Sequence, residues 1–327
     1  MGVSQPAGMR VFDADGALTQ EYLRHRGYCC ENGCRNCPYG YRERLASSAH
    51  PPAAAYLPAT VPQRIVSLCP SNTEILHSLG LLSKVVGVDD WSDWPHSVTQ
   101  LPRVGPDLHV DMDRVEALRP DLVLASLSVP GMERNVIRLQ ELGLPHLVLD
   151  PHSIEDLWDN LRAVGRVCDV ELTADRVVAE LQGRVHRVRE TTLRAVSRPR
   201  VYWEWWPKPL FSPGRRNWLT SVSELAGCRS VTAQVDADTA RPTPDEIRDA
   251  DPNWILLAWT GVAREKVRPD VLLRRSGWSE LAAVREGRVR VMEEGLFCRP
   301  SPRLIDGLEQ LARLAHPGLF SATRSWR

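Results

Sequence analysis

Residues 64–80 read RIVSLCPSNTEILHSLG. Ile65 and Val66 form a short β-branched run, Pro70-Ser71-Asn72-Thr73 interrupts it, and Ile75, Leu76 and Leu79 then recur at helical spacing as far as Gly80. The pattern is strand, turn, helix. Ser71, Asn72 or Thr73 can cap that helix, and Glu74 falls in its first turn, where the helix dipole favours an acid.

The alternation continues downstream. VVGVDD (85–90), DLVLAS (121–126) and PHLVLD (145–150) read as strands, with helices at VDMDRVEALRP (110–120) and NVIRLQELG (135–143) between them. Strands alternating with helices predict a mostly parallel sheet with crossover helices. From Ser153 the chain runs for over forty residues without proline, opening on a capping box at Ser153 and Asp156, with a second possible start at Thr173. A long helix is expected, in one piece or two. Were 174–195 helical, it would span about 33 Å at 1.5 Å per residue.

Beyond Arg198 the alternation resumes. RVYWEWW (200–206), NWILLAW (253–259) and RVRVME (288–293) read as strands, NWLTSVSELAG (217–227), TPDEIRDA (243–250) and SPRLIDGLEQLARLA (301–315) as helices, and RRSGWSELAAVREG (274–287) as helix and turn. The halves echo each other: VDMDRVEALRPDLVLAS (110–126) and PTPDEIRDADPNWILLAW (242–259) share an acidic helix start and a following apolar strand. Such a pseudo-repeat fits two lobes facing across a cleft. The expected fold is α/β: two α/β lobes with mostly parallel sheets joined by a long backbone helix, plus a small N-terminal cysteine-rich module. The module spans 1–45, a linker rich in Ala, Ser and Pro 46–61, the N-terminal lobe 62–152, the backbone helix 153–197 and the C-terminal lobe 198–327.

The chain has 327 residues, and 41 Lys plus Arg balance 41 Asp plus Glu. A net charge of zero leaves no electrostatic footprint for nucleic acid or an anionic membrane. Composition is that of a globular protein, and a length above about 250 residues argues for more than one core. Its longest apolar stretches, Leu122 to Ala125 and Trp254 to Trp259, fall far short of the roughly 18 residues of a membrane-spanning helix. The first thirty residues hold no apolar run of signal-peptide length, interrupted as they are by Asp13, Asp15 and Glu21, so a cytoplasmic protein is expected. Tryptophan is over-represented, with 11 Trp against 4 Phe and 6 Tyr. A large flat ligand would account for that excess.

Half of the 8 cysteines lie close together, at Cys29, Cys30, Cys34 and Cys37. In a reducing compartment such a cluster binds metal or does redox work, and four thiolates suit zinc or an iron–sulfur cluster. The adjacent Cys29–Cys30 pair leaves open a three-thiolate site completed from outside. The stretch FDADGALTQEYLRHRGYCCENGCRNCPYGY (12–41) resembles a small cysteine-rich domain with a CCxxGCxxCPY signature, related to an oxidoreductase-like N-terminal domain.

Taken in order, IVSLCPSNTEILHSLG, VVGVDDWSDWP (85–95), VDMDRVEALRPDLVLAS, ELGLPHLVLD (141–150), the long helical run and LFCRPSPRLIDGLEQLA (296–312) resemble the solute-binding proteins of metal-chelate ABC importers, the helical-backbone metal receptors, and among them the cobalamin type. The similarity covers about 62–320. It implies two α/β lobes on a rigid helix, holding a corrinoid or iron chelate between them without catalysis. On this resemblance Trp91 lines the cleft, Asp93 and Trp94 complete its loop, and Pro70, Ser71 and Asn72 form the turn facing the ligand. Trp205, Trp206, Phe297 and Arg299 are the cleft candidates of the second lobe, Arg299 and Arg303 alternatively capping the last helix. Asp113 and Asp245 stand where the family carries acids that dock on the transporter, with the charge on a shorter side chain.

No nucleophile–base pair, phosphate loop or HExxH-like helix is present, and an enzyme reading rests on the cysteines alone. The expectation is a monomeric cytoplasmic protein that binds cobalamin or a related corrinoid, a small-molecule metal chelate, and sequesters it or hands it over. Its rivals are a redox enzyme passing electrons from an N-terminal iron–sulfur cluster to a chelate in the cleft, and a binding protein for heme or a ferric siderophore.

Overall fold

A computed structural model describes residues 55–320 throughout and, before them, residues 9, 10, 19–26, 36 and 38. Cys29, Cys30, Cys34 and Cys37, with the zinc or iron–sulfur cluster expected on them, lie outside the described residues. Among the described residues no group of three or more His, Cys, Asp or Glu is arranged to hold a metal, and no helix is long and apolar enough to cross a membrane.

The N-terminal lobe is one five-stranded sheet of β1 (Ala55–Tyr56), β2 (Ile65–Ser67), β3 (Val85–Val88), β4 (Leu122–Ser126) and β5 (His146–Leu149), in the order β1-β5-β4-β2-β3. β5, β4, β2 and β3 run parallel, with helices α1 (Pro70–Ser78), α2 (Met112–Ala117) and α3 (Glu133–Glu141) as crossovers. Ala55 and Tyr56 correct the expected linker of 46–61, because they pair antiparallel with β5. An edge strand needs only backbone groups meeting an open sheet edge, which an Ala-rich composition does not reveal.

Helix α1 begins earlier than the sequence pattern implies. Pro70 occupies its first turn, where a fixed φ and a missing N–H cost nothing, and Cys69 is an N-cap without a side-chain cap. Ser71, Asn72 and Thr73 are therefore buried within the helix and cap nothing. The Asn72 amide donates to the carbonyls of Leu124 and Ala125 at 3.1 Å each, and Thr73 Oγ1 donates to Ser67 Oγ at 2.8 Å, which fastens α1 to β2 and β4.

The long proline-free run is two helices, α4 (Ile154–Val167) and α5 (Glu171–Thr192). The capping box at Ser153 and Asp156 forms as expected. Asp169 enters the left-handed region at φ 59° and ends α4, so the second helix starts at Glu171 instead of Thr173. At Gly165 a Cβ would lie 2.6 Å from Ala174 Cβ, so glycine lets the two helices touch. With 22 residues, α5 alone spans about 33 Å.

The C-terminal lobe comprises β6 (Arg200–Glu204), β7 (Trp206–Pro207), β8 (Leu210–Pro213), α6 (Trp218–Leu225), β9 (Arg229–Ser230), β10 (Thr239–Ala240), α7 (Pro244–Ala250), β11 (Trp254–Leu257), β12 (Val289–Val291), α8 (Glu294–Phe297) and α9 (Leu304–Ala315). Its main sheet is parallel in the order β12-β11-β6-β9, beside a small antiparallel sheet of β10-β8-β7. The largest apolar cluster runs from Ile65 and Leu122 through Leu157 and Leu161 of α4 and Val178 of α5 to Trp203 and Leu308. Arg184 of α5 adds ion pairs to Asp306 (2.6 Å) and Glu309 (2.9 Å) of α9. Swinging the lobes apart would expose part of this shared core at about 25 cal/mol per Å², so the backbone resists hinge motion.

Candidate functional site

In open parallel sheets, ligands bind beyond the carboxyl ends of the strands, where the loops diverge. Here the two lobes turn those ends toward each other. Arg299, which follows β12, donates to Asp93 after β3 at 2.6 Å and to Glu74 of α1 at 3.1 Å. At the opposite end, His152 after β5 meets Asp238 before β10 at 3.1 Å. The space between these two bridges is the cleft.

Its N-terminal rim is the loop after β3. Asp89 is buried and accepts from the Trp91 N–H (2.7 Å) and the Ser92 hydroxyl (2.5 Å), while Arg103 donates to the carbonyls of Asp89 (2.6 Å) and Ser92 (2.8 Å). Burial pushes the Asp89 carboxyl up to about 6, against the pull of those two donors. The loop is pinned by its backbone, which leaves the Trp91 indole 50% exposed. Trp94 is packed differently: its ring meets His77 edge-on at 4.6 Å and lies under the Arg303 guanidinium, also at 4.6 Å.

The C-terminal rim starts where β6 ends. Glu204 is fully buried under Arg275, which donates to both carboxylate oxygens at 2.6 and 3.1 Å, and it accepts from Tyr202 and Trp259 as well. That satisfied ion pair anchors the next two residues. Trp205 is half-buried, tilted 35° against Trp218, with its ring N–H unpartnered among the described residues. Trp206, in the β7–β8 hairpin, stays 41% exposed.

Glu74, read from the sequence as a dipole-compensating acid, is the hub between the lobes. It is buried and accepts from Arg299 and Arg303 at 3.1 Å each and, through a short hydrogen bond, from Ser301. Burial pushes its carboxyl up, and the two guanidinium groups and the Ser301 hydroxyl oppose that shift. An acid followed directly by the apolar Ile75 and Leu76 is the available signal, because a buried carboxylate needs a cation. Nothing local identifies which cation.

Several expected cleft residues take other places. Phe297 has no exposed surface; its ring packs against Trp203 at 5.0 Å and its carbonyl accepts from the Trp218 ring N–H. Asn72 spends its amide on β4. Asp93 and Arg299 are bonded to each other, with Arg299 also held by Glu294, so both close one end of the cleft. Trp91 lies on the loop after β3, Trp205 and Trp206 directly after β6, while Pro70 is half-buried and Ser71 buried at the start of α1. Cys69, beside Ser71, is buried and its thiol is pushed up to about 12, so it stays protonated at neutral pH.

Two α/β lobes with parallel sheets, joined by a helical backbone and facing each other across a cleft, are the architecture of a solute-binding protein. Residues 65–295 match the family described as Periplasmic binding protein, and the chain belongs to that family. Residues 9–43 match a Family of unknown function (DUF5522). The chain is 30% identical over 264 residues to an uncharacterized ABC transporter substrate-binding lipoprotein of Bacillus subtilis (strain 168), spanning 79% of this chain and 82% of that one. It is 24% identical over 250 residues to a vitamin B12-binding protein of Vibrio cholerae, spanning 76% and 87%. The crystal structure of a periplasmic heme binding protein from Pseudomonas aeruginosa superposes with a TM-score of 0.70 at 26% identity, over 79% of this chain and 94% of that one.

These relatives correct the expectation of a cytoplasmic protein. One is a lipoprotein by name, and the family is periplasmic. The composition of the first thirty residues describes only those residues and does not report the compartment in which the fold works.

Proposed function

We propose that the cleft binds cobalamin or a related corrinoid and that the protein presents it to an ABC transporter. The observation that supports this reading is the exposure of two indoles that follow strand ends, Trp91 after β3 on one lobe and Trp206 after β6 on the other. A corrin is large, flat and mostly apolar, and two exposed indole faces suit it. Trp205, Pro70 and Ser71 complete the contact surface. The likeness to a vitamin B12-binding protein supports the ligand.

Asp113, exposed in the first turn of α2, and Asp245, exposed in the first turn of α7 and paired with Arg248 at 2.7 Å, are the proposed transporter contacts, one on each lobe. Their charge reversal is expected to abolish uptake and leave ligand affinity unchanged.

The test is a titration of tryptophan fluorescence with cobalamin and cobinamide. Quenching with a Kd below roughly 1 μM, about −8 kcal/mol, is expected. No heat and no quenching with any corrinoid, alongside binding of heme or a ferric chelate, would overturn the corrinoid assignment and leave the solute-binding fold in place.

A further inference from the structure

We infer that the cleft end lined by His152, Ser153, Arg215, Arg216, Ser221 and Asp238 is a subsite for a single anionic oxygen group, a phosphodiester or a carboxylate, on the edge of the bound chelate. The inference rests on the reading that the cleft takes a large chelate. These residues line an open pocket of about 560 Å³. His152 and Ser153 lie between β5 and α4, and the other four belong to the C-terminal lobe, so the cavity opens between the lobes.

Arg216 carries the argument. Its guanidinium stands 3.6 Å from Asp236 and 3.8 Å from Asp238, close enough for charge compensation and too far for a hydrogen bond. Its N–H donors are thus unspent among the described residues, whereas Arg215 closes on Asp236 at 2.9 Å. Asp238 is drawn instead to His152, whose two ring nitrogens lie 3.1 Å from Asp150 and from Asp238. A planar guanidinium fork with free donors matches the paired oxygens of a carboxylate or phosphate.

The backbone that carries the fork is held in position. Gly214 N–H donates to the Asp238 carbonyl, Arg215 N–H to that of Val235 and Arg216 N–H to that of Ala237. A Cβ at Gly214 would lie 2.1 Å from the Ala237 oxygen, so only glycine allows the two loops to approach this closely. Asp150, Asp236 and Asp238 surround Arg215, Arg216 and His152. The surroundings therefore hold no surplus of positive charge beyond the Arg216 fork, which disfavours a polyanion.

The experiment titrates the full chain and its Arg216→Gln variant with two matched pairs: cobalamin and cobinamide, which has the corrin without the phosphodiester, and hemin and its dimethyl ester, which has the porphyrin without free carboxylates. For whichever macrocycle binds, the anionic member is expected to bind the unaltered protein roughly tenfold more tightly, the scale of one charged hydrogen bond. In the variant that advantage should shrink to about twofold or less, and the anion-free member should bind both proteins alike. Equal affinities within a pair, or a preference that survives in the variant, would overturn the subsite. Failure of all four to bind would overturn the chelate reading and the subsite with it, and is distinct from binding without preference.

Discussion

Arg299 and Glu74 meet across the cleft, Nη1 donating to Oε1 at 3.1 Å although 225 residues separate them in the chain. Each has further partners from the opposite lobe or its own: Asp93 and Glu294 for Arg299, Arg303 and Ser301 for Glu74. The pair therefore ties α1 of one lobe to the loop before α9 of the other. Removing one member of a buried ion pair strands the other without compensation. Arg299→Ala is expected to cost about 3 kcal/mol or more, read by denaturant unfolding followed by circular dichroism. Glu74→Gln should cost less, and the double variant should show a coupling of roughly 0.5–3 kcal/mol. Strictly additive losses would show that the two residues act independently.

The two tryptophans on the rims and the buried Phe297 should separate binding from stability. Trp91→Ala and Trp206→Ala remove surfaces already half in water, so each should weaken corrinoid binding by at least about 1 kcal/mol with little change in folding. Phe297→Ala opens a hole in the core and should cost roughly 3–5 kcal/mol of stability. Fluorescence titration and thermal unfolding of the same three variants check both halves. A Phe297 variant that folds normally and binds poorly would return that ring to the cleft.

Asp89 makes a pH-dependent contribution whose sign follows from its raised pKa. The ordinary aspartate titrates at 3.8 and Asp89 at about 6, so between those values the folded chain holds a proton that the unfolded chain has lost. This favours the folded state fully below pH 3.8 and is lost as pH rises through 6. Asp89→Asn removes the charge and retains an acceptor for the Trp91 N–H. By calorimetry, its midpoint should gain on the unaltered protein at pH 7.5, by roughly 2–4 °C for each kcal/mol relieved, and the gain should fade toward pH 4. A difference constant from pH 4 to 8 would mean that Asp89 does not titrate in that range.

The strand at Ala55–Tyr56 sets where the lobes begin. Deleting residues 1–52 keeps β1 on β5, and such a chain is expected to fold and bind as the full protein does. Deleting residues 1–61 strips β1 away and should cost on the order of 1–2 kcal/mol for the lost edge hydrogen bonds. Thermal unfolding of the two truncations makes the comparison. Equal midpoints would restore the linker boundary at residue 61.

Much of the architecture is written locally. The run at Ile65, the spacing of Ile75, Leu76 and Leu79, and the Ser153–Asp156 capping box each specify an element through neighbours a few residues away, and their alternation implies a parallel sheet. The resemblance of the PSNTE and WSDWP segments to a binding-protein family is legible for the same reason, because short loops at strand ends are contiguous in sequence. The break between α4 and α5 was less visible: Asp169 adopts a left-handed backbone that aspartate tolerates without requiring it.

Only the tertiary structure decided which charges meet and which rings are wet. Whether Phe297 faces a ligand or Trp203, whether Arg299 is free or spent on Glu74 and Asp93, and whether Arg216 keeps its donors depend on atoms brought together from distant parts of the chain. Hydrophobic periodicity records how far a residue is buried along its own element. Pairing and exposure are set by the element packed opposite, and no local pattern encodes that element.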